Sequence, residues 1–297
     1  MASRPVTKAL IPAAGRGTRF LPFTKAVPKE LAPLVTTPAL ELVIGEAAAK
    51  GITDVIVVLS AGKSAISDYF SHDTELEAAL EAKGDEGGLA SIRRPAELAN
   101  VSYVEQASPR GLGDAVHHGE QFVGDEPFAV LLPDDLIDAE DELLGQMLDL
   151  QAEKGGIVLG LIDVPREEIR KYGCAVPAPG SDSTDDIVQI VDLVEKPAPD
   201  EAPSTLAVIG RYVLPPEIFA ALRTTQPGSG GEIQLTDAMR TLAESGTPVH
   251  GVVFRGRRYD TGDRLEYVKA VVQVALRHPE VGTDFGLWLR DYVSKLD

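Results

Sequence analysis

Short apolar runs alternate with segments of helical periodicity along most of the chain. Runs of apolar and β-branched residues predict strands at 8–14, 54–59, 101–105, 128–132, 156–163, 186–195, 206–212 and 249–254. Apolar residues at helical spacing predict helices at 38–50, 63–70, 75–83, 112–123, 141–154, 216–223, 232–245, 263–276 and 283–295. Strands that alternate with helices favour right-handed βαβ units, so we predict an α/β fold with a mixed, mostly parallel central sheet flanked by helices.

The pattern changes in the second half of the chain and in one glycine-rich stretch. Between residues 173 and 212, two strand-like runs are separated by a loop at 177–186, and a second loop at 197–204 contains three prolines. This predicts an antiparallel elaboration after the parallel core. Residues 83–94 contain three glycines and are predicted to form a mobile loop. The helices from residue 263 onward are predicted to form a packing or oligomer arm.

The composition is that of an acidic chain with enough apolar residues for a complete core. It has 297 residues, of which 44% are hydrophobic, and its formal net charge is −18. This charge opposes nucleic acids and anionic membrane surfaces as partners, because both require broad basic faces. The single cysteine, Cys174, excludes an intramolecular disulfide framework. No apolar run reaches membrane-spanning length and the N-terminus lacks the apolar core of a signal peptide, so we expect a cytoplasmic protein.

Cations gather beside a glycine-rich turn near the N-terminus of this acidic chain. Residues 1–29 contain six Lys or Arg and no Asp or Glu, and a Gly-Arg-Gly-Thr-Arg turn at 15–19 follows the first predicted strand. Glycines let backbone N–H groups approach phosphate oxygens, and Arg19, Lys25 and Lys29 can neutralise the phosphate charge. The pattern favours a small polyanion bound at this turn, and the alternative is a tight turn with solvated cations.

The spacing of the turn excludes two other kinds of phosphate loop. The sequence has no G-x-x-x-x-G-K-[ST] segment, so it lacks a Walker-type loop. Phe20 stands where a dinucleotide-binding fingerprint requires its third glycine. This spacing therefore opposes a nicotinamide-dependent oxidoreductase.

Acidic residues follow two of the strand-like runs. Asp134 and Asp135 come after the run 128–132, at the carboxyl end where open α/β sheets place ligands. A carboxylate there can hold Mg²⁺ together with substrate phosphates, but Asp is as common in turns and helix caps, and we interpret Asp135 as a cap or turn residue. Asp260 is a turn residue or a second metal ligand, and Asp263 is predicted to cap the helix that follows.

Two further polar segments follow predicted strands. Glu195 and Lys196 suit a sugar phosphate, because a carboxylate accepts from hydroxyls and an ammonium pairs with phosphate; an exposed ion pair is the alternative. Gln106, with Gly111 five positions later, matches the imide edge of uracil or thymine, and a surface loop is the alternative. On the residues alone, both interpretations of each segment stay open.

Short motifs occur along the chain in a fixed order. They are Ala-Ala-Gly-Arg-Gly-Thr-Arg, Pro-Lys-Glu-Leu, Gln-x₄-Gly, Leu-Pro-Asp-Asp, Tyr-Gly-Cys-Ala, Val-Glu-Lys-Pro, Ile-Gly-Arg-Tyr-Val-Leu and Gly-Glu-Ile-Gln-Leu-Thr-Asp-Ala. In this order they resemble the sugar-nucleotidyltransferase family, and within it the bacterial UTP–glucose-1-phosphate uridylyltransferases (UDP-glucose pyrophosphorylases). The resemblance covers residues 6–288, and the shared order of the motifs makes it specific.

The resemblance implies a Rossmann-like nucleotidyltransferase fold that transfers a uridylyl group from UTP to glucose 1-phosphate, with Mg²⁺ as cofactor and a homodimer or homotetramer as the assembly. It implies a catalytic domain over residues 1–262, with a nucleotide-binding first half and a sugar-binding insert over 164–231, and a C-terminal helical arm over 263–297. A thymidylyltransferase or another sugar-1-phosphate nucleotidyltransferase is an alternative within the class. A non-catalytic nucleotide-sugar-binding regulatory protein is an alternative in another class, and the presence of every expected charged residue opposes it.

The resemblance also implies roles for individual residues. The nucleotide would be bound by Ala14, Gly15, Gly17, Thr18 and Arg19, and its base would be read by Gln106 and Gly111. Asp134 and Asp260 would bind Mg²⁺, Gly173 and Glu195 would contact glucose, and Lys196 would bind the sugar phosphate. Arg19, Lys29 and Lys196 would be catalytic, because they stabilise negative charge in the transition state.

Overall fold

The computed structural model describes residues 4–296. Its strands are β1 (Lys8–Ala13), β2 (Pro33–Leu34), β3 (Thr37–Pro38), β4 (Asp54–Leu59), β5 (Asn100–Glu105), β6 (Phe128–Leu131), β7 (Asp135–Ile137), β8 (Ile157–Asp163), β9 (Gly173–Pro177), β10 (Ile187–Glu195), β11 (Leu206–Leu214), β12 (Val249–Val253) and β13 (Arg258–Asp260). Its α-helices are α1 (Ala39–Ala49), α2 (Ser64–Tyr69), α3 (Thr74–Lys83), α4 (Glu86–Glu97), α5 (Leu112–His118), α6 (Glu120–Val123), α7 (Leu144–Lys154), α8 (Ile218–Thr224), α9 (Leu235–Glu244), α10 (Arg264–Arg277) and α11 (Gly282–Val293).

The main sheet has the strand order β5-β4-β1-β6-β11-β8-β12-β10-β9, and β9 also pairs with β11. The pairs β5–β4, β4–β1, β1–β6 and β8–β12 are parallel. Strands β10 and β11 run against the other strands of the sheet. The sheet is therefore mixed and mostly parallel, and its antiparallel part includes β9 to β11, as the sequence predicts.

Helices cover both faces of the sheet, which explains the continuous apolar strands. In β1, Ala9 and Ile11 pack into a core cluster with α1 and α7, whereas Leu10 packs into a second cluster with α5, α8 and α9. Alternate residues of a strand point to opposite faces, so a strand between two helix layers must be apolar throughout. This three-layer arrangement fixes the ends of the parallel strands, from which the site is built.

One sequence-based assignment is wrong, and one predicted helix is interrupted. Residues 83–94, predicted to be a mobile loop, lie mostly in α4, where Asp85 caps the helix by accepting from the Gly88 N–H at 2.9 Å. Arg93 of α4 also pairs with Glu77 and Glu81 of α3, so the glycines lie in a helical hairpin. The predicted helix at 112–123 is divided at Gly119 into α5 and α6.

A short antiparallel ribbon links the end of β6 to the C-terminal part of the chain. Strand β13 pairs with β7, with Asp260 opposite Asp135. Asp263 caps α10 by accepting from the N–H groups of Leu265 and Glu266, as predicted. Helix α10 then packs on the body, where Arg277 donates to Asp138 at 2.6 Å. The ribbon thus brings Asp260 to the carboxyl edge of the parallel strands.

Helix α11 follows α10 and presents apolar side chains outward. Leu287, Trp288 and Tyr292 are each at least half exposed, and Trp288 stacks between Phe285 and Tyr292. Within residues 4–296, no helix has the length and apolarity needed to cross a membrane.

Candidate active site

The glycine-rich turn after β1 closes tightly around Lys29. Gly17 has φ +61°, and a Cβ at this position would lie 3.0 Å from Thr24 Cγ2 and 3.1 Å from Lys29 Cβ. The Thr24 hydroxyl donates to the Gly17 carbonyl at 2.8 Å. Glycine is needed here because the left-handed conformation and the close approach both disfavour a side chain. The turn is thus built to hold the Lys29 side chain at its centre.

A buried ion pair between Lys63 and Glu30, which the sequence did not reveal, holds this turn in place. Lys63 Nζ, just after β4, donates to the Ala13 carbonyl at 2.6 Å, to the Gly15 carbonyl at 2.8 Å and to Glu30 Oε2 at 2.8 Å. The Glu30 side chain is fully buried, and burial lowers the pKa of Lys63 although Glu30 opposes that shift. A cation at the end of the neighbouring strand was the available sequence signal, but its partner could not be inferred.

Lys29 and Asp134 form the ion pair at the centre of the site. Lys29 Nζ lies 2.5 Å from Asp134 Oδ2, although the two residues are far apart in sequence. Burial disfavours both charges, but the Asp134 and Glu30 carboxylates hold the pKa of Lys29 above its ordinary value, and Lys29 holds the pKa of Asp134 below its own. Both groups are therefore ionised, and a cation and a carboxylate face each other at the end of β6.

A second carboxylate converges on the same point. A Cβ on Gly262 would lie 2.7 Å from Asp134 Oδ2 and 3.0 Å from Asp260 Oδ1. Burial and the charge of Asp134 raise the pKa of Asp260. Arg19 reaches this corner and donates to the Gly262 carbonyl at 3.1 Å. Two facing carboxylates that repel each other are electrostatically suited to a divalent cation.

The donor set of this corner fits Mg²⁺ better than a soft metal. Asp134 and Asp260 offer carboxylate oxygens, and Mg²⁺ prefers one or two carboxylates with its remaining positions taken by water and substrate phosphates. In the described range, no cluster of three or more His, Cys, Asp and Glu side chains is arranged to hold a metal. The two carboxylates therefore fit a cation that completes its coordination with water and a phosphate-bearing substrate.

Asp135 has a structural position that differs from the predicted cap or turn. It lies in β7, accepts from the Gly210 N–H at 2.7 Å and receives Arg258 Nε and Nη2 at 2.7 and 2.9 Å. Arg258 also lies over the Tyr172 ring, 5.6 Å from its centroid. Asp135 thus joins the β7–β13 ribbon to β11, and holds the backbone that carries Asp134 and Asp260.

Gly173, Glu195 and Thr236 meet on the other side of the same cavity. The Thr236 hydroxyl donates to Glu195 Oε2 at 2.7 Å. A Cβ on Gly173 would lie 3.2 Å from Thr236 Oγ1 and 3.5 Å from Glu195 Oε2, so a side chain there would crowd the carboxylate. Thr236 belongs to the Gly-Glu-Ile-Gln-Leu-Thr-Asp-Ala motif, but its residue type and spacing alone do not indicate a role.

Lys196 adopts a backbone conformation that is uncommon for a residue with a side chain. Its φ is +45°, in the left-handed region, and its N–H donates to the Tyr172 carbonyl at 3.1 Å. Its ammonium lies 3.2 Å from Glu195 Oε1 and is about half exposed. A residue held in this region is maintained by its surroundings, and such positions concentrate at functional sites.

Most of the predicted site residues line one of two adjoining cavities. The first, here called the central cavity, is lined by Arg19, Asp134, Asp260, Gly173, Glu195 and Lys196. The second, here called the loop cavity, is lined by Gly15, Thr18 and Lys29 together with Lys25 and Lys63. Ala14, Gly17, Gln106 and Gly111 lie outside both linings. The two cavities meet at the Lys29–Asp134 contact.

Gln106 and Gly111 lie where β5 leads into α5. Gln106 is buried, and its backbone N–H donates to the Leu59 carbonyl at 2.7 Å. Gly111 has φ +106°, and a Cβ there would lie 2.7 Å from the Ile233 carbonyl oxygen. The Ile233 N–H donates to the Arg110 carbonyl at 2.7 Å, so this loop is attached to the segment that leads into α9.

A mixed sheet that carries cations and glycine-rich backbone suited to phosphate, with a pair of carboxylates at the same edge, is typical of a nucleotidyltransferase. The chain belongs to the nucleotidyl transferase family, whose model matches residues 8–276. A UTP–glucose-1-phosphate uridylyltransferase of Staphylococcus epidermidis is 43% identical over 294 residues, covering 99% of each chain. The UTP–glucose-1-phosphate uridylyltransferase YngB of Bacillus subtilis is 44% identical over 292 residues, covering 98% of this chain and 97% of its own. These relatives and the fold confirm the resemblance that the motifs indicate.

Two solved structures have the same architecture. A UTP-bound UGPase from Acinetobacter baumannii superposes with a TM-score of 0.87 and 37% identity, covering 96% of this chain and 98% of its own. A UDP-glucose pyrophosphorylase complexed with UDP-glucose superposes with a TM-score of 0.81 and 39% identity, covering 92% of this chain and all of its own. The Rossmann-like nucleotidyltransferase fold with C-terminal helices is thereby confirmed.

Proposed function

We propose that this chain transfers the uridylyl group of UTP to glucose 1-phosphate, which gives UDP-glucose and pyrophosphate. Relatives of this name match at 43–44% identity over nearly the whole chain. The observation that carries the proposal is the Lys29–Asp134 contact, because it joins the cation-rich loop cavity to the carboxylate-lined central cavity. Two anionic substrates bound in these cavities would meet at that contact.

The chemistry is an in-line displacement at the α-phosphorus of UTP. A phosphate oxygen of glucose 1-phosphate forms the new P–O bond, and the bond to the bridging oxygen of the β-phosphate breaks, so that pyrophosphate leaves with the electron pair. The nucleophile is already an anion, so no covalent enzyme intermediate is required. The protein therefore acts by positioning the reactants and by stabilising negative charge.

The loop cavity is assigned to the triphosphate of UTP. Backbone N–H groups of the turn at residues 15–19 would face its oxygens, and the Lys29 ammonium would neutralise charge that develops at the α-phosphorus. Arg19 lines the central cavity, where its guanidinium can reach the phosphates of UTP and of glucose 1-phosphate. The buried Lys63–Glu30 pair keeps the turn in the shape that this binding requires.

The central cavity is assigned to glucose 1-phosphate. Glu195, oriented by Thr236, would accept hydrogen bonds from sugar hydroxyls, and Gly173 leaves the space that the ring needs. The half-exposed Lys196 would bind the sugar phosphate and hold its attacking oxygen toward the Lys29–Asp134 contact. Gln106 and Gly111 would read the imide edge of the base.

Asp134 and Asp260 are assigned as the residues that hold Mg²⁺. The ion would supply Lewis-acid charge neutralisation on the phosphates. Lys29 forms its ion pair with Asp134, so the same carboxylate orients the ammonium toward the reacting phosphates. Four points stay predictions: the roles of these residues, the domain division at residue 262, the cytoplasmic location and the homo-oligomer. The exposed aromatic face of α11 supports the homo-oligomer.

The test is pyrophosphate release measured across a grid of nucleoside triphosphates and sugar 1-phosphates, with and without Mg²⁺. We expect turnover with UTP and glucose 1-phosphate and its loss when the metal is chelated. Including dTTP separates a thymidylyltransferase, because uracil and thymine share the imide edge. No release with any pair would contradict the proposal and favour a non-catalytic binding protein.

A further inference from the structure

We propose that Asp114 fixes the orientation of the Gln106 side-chain amide and thereby selects uracil and thymine over cytosine. The inference rests on the proposed function, in which Gln106 reads the base of the nucleoside triphosphate. It assigns to Asp114 the part of a positioning and specificity-determining residue. Asp114 itself would not touch the substrate.

The orientation follows from a direct contact between two buried side chains. Gln106 Nε2 donates to Asp114 Oδ2 at 2.6 Å, and the exposed fractions of the two residues are 3% and 4%. An ionised carboxylate only accepts hydrogen bonds, so the amide must present its nitrogen, and not its oxygen, to Asp114. A flipped amide would place two acceptor oxygens against each other in a buried position, which is strongly unfavourable.

Further hydrogen bonds hold Asp114 in place. Arg110 Nη2 donates to Asp114 Oδ1 at 2.7 Å, so the carboxylate receives one donor on each oxygen. His118 Nδ1 contacts the Asp114 carbonyl oxygen at 2.8 Å, which makes this ring nitrogen a donor. The Gly113 N–H donates to the Ile233 carbonyl at 2.9 Å and fastens this turn of α5 to the segment before α9. The Asp114 carboxylate therefore has a fixed position.

The contact leaves Gln106 Oε1 as the acceptor of this amide that a ligand can use. Within residues 4–296 this oxygen receives no hydrogen bond and is not fully buried, so it can accept one from a bound base. The backbone N–H of Gln106 is already bonded to the Leu59 carbonyl, which fixes the end of β5. The structure thus presents an acceptor at a fixed point.

A fixed acceptor discriminates between pyrimidines by the state of ring nitrogen N3. In uracil and thymine N3 carries a hydrogen and can donate to Gln106 Oε1, whereas in cytosine N3 is itself an acceptor. Sites built around such a hydrogen bond reject the mismatched analogue strongly, because a buried polar group is left unpaired. A freely rotating amide could adapt to either base, so the discrimination depends on the Asp114 contact.

The test compares kcat/KM for UTP, dTTP and CTP, each with glucose 1-phosphate, in the wild type, Asp114→Asn and Asp114→Ser. Asn can donate as well as accept, which allows the Gln106 amide to flip, and Ser removes the carboxylate. We expect the ratio of kcat/KM for UTP to that for CTP to fall by about tenfold or more in both variants. Asp125→Asn, an exposed acid paired with Arg4 at 3.3 Å, is the control and should keep the wild-type ratio.

The outcomes separate this inference from the proposed function. If the variants lose activity with UTP and CTP in equal proportion, Asp114 has only a structural role and the inference is overturned. A ratio of kcat/KM for UTP to that for CTP that stays at the wild-type value would overturn it as well. Melting curves show whether Asp114→Asn folds, and Asp114→Ser gives the answer if it does not. A wild type that fails to use UTP and glucose 1-phosphate would instead overturn the proposed function.

Discussion

Replacement of Lys63 by Met tests the buried pair beneath the phosphate-binding turn. The change keeps an unbranched side chain but leaves the fully buried Glu30 carboxylate without its cation. Glu30 Oε1 is already without a hydrogen-bond partner within residues 4–296, so no hydrogen bond at that oxygen compensates for the loss. The carbonyl oxygens of Ala13 and Gly15 lose their donor at the same time.

The expected magnitude follows from the cost of an unpaired buried charge. Removing one partner of a buried ion pair costs about 3–5 kcal/mol. Most of the usual range of unfolding free energies, about 5–15 kcal/mol, exceeds this loss, so the variant should still fold, but less stably. At roughly 2–4 °C per kcal/mol, the melting temperature should fall by roughly 6–20 °C. The KM for UTP should rise as well, because the turn is no longer held in place.

Thermal melting and steady-state kinetics on three variants provide the assay. The double variant Lys63→Met with Glu30→Gln should be more stable than Lys63→Met alone, because the buried carboxylate is then neutral. Lys83→Met, at an exposed position, is the control and should behave like the wild type. A Lys63→Met protein with the melting temperature and UTP KM of the wild type would refute the reasoning.

Three further changes address the turn, the metal site and the sugar site. Gly17→Ala forces a side chain into a left-handed position that has no room, so it should lower the free energy of unfolding by about 1–3 kcal/mol and raise the KM for UTP. Gly84 is also left-handed but lies in open space, so Gly84→Ala should leave the KM for UTP unchanged in the same assays. Asp134→Asn should lower kcat by about 10²–10³-fold even with excess Mg²⁺, and turnover at the wild-type rate would show that the assignment is wrong. Thr236→Val removes the donor to Glu195 and should raise the KM for glucose 1-phosphate by about tenfold or more with little change for UTP; equal changes for both substrates would argue against its orienting part.

The sequence predicted the sheet well because the strand signal is local. Residues 55–59 of β4, for example, are apolar throughout, and burial between two helix layers requires that composition. Helix α4 was missed because Gly87 and Gly88 in its first turn indicate a loop. Its stabilising partners, Glu77 and Glu81, lie on another helix, and their pairing with Arg93 cannot be inferred from the local pattern.

The sequence indicated which segments contribute to the site, but not how their side chains are arranged in space. The strand–loop junctions before Asp134 and Gln106 are visible in the sequence, since parallel strands end at one edge. The contact between Lys29 and Asp134 depends on the sheet order, which no local pattern encodes. Asp260 reaches Asp134 through the ribbon of β7 and β13, and strands of three residues are too short to show a period.

The central claim is that UTP and glucose 1-phosphate meet at the junction of the two cavities, where Lys29 faces Asp134. Crystals of the protein soaked with UDP-glucose test it most directly, because that product spans both assigned cavities. The account predicts density for the diphosphate beside Lys29 and Asp134, with the glucose ring against Glu195 and the uracil against Gln106. Density for the nucleotide remote from the glycine-rich turn would contradict it.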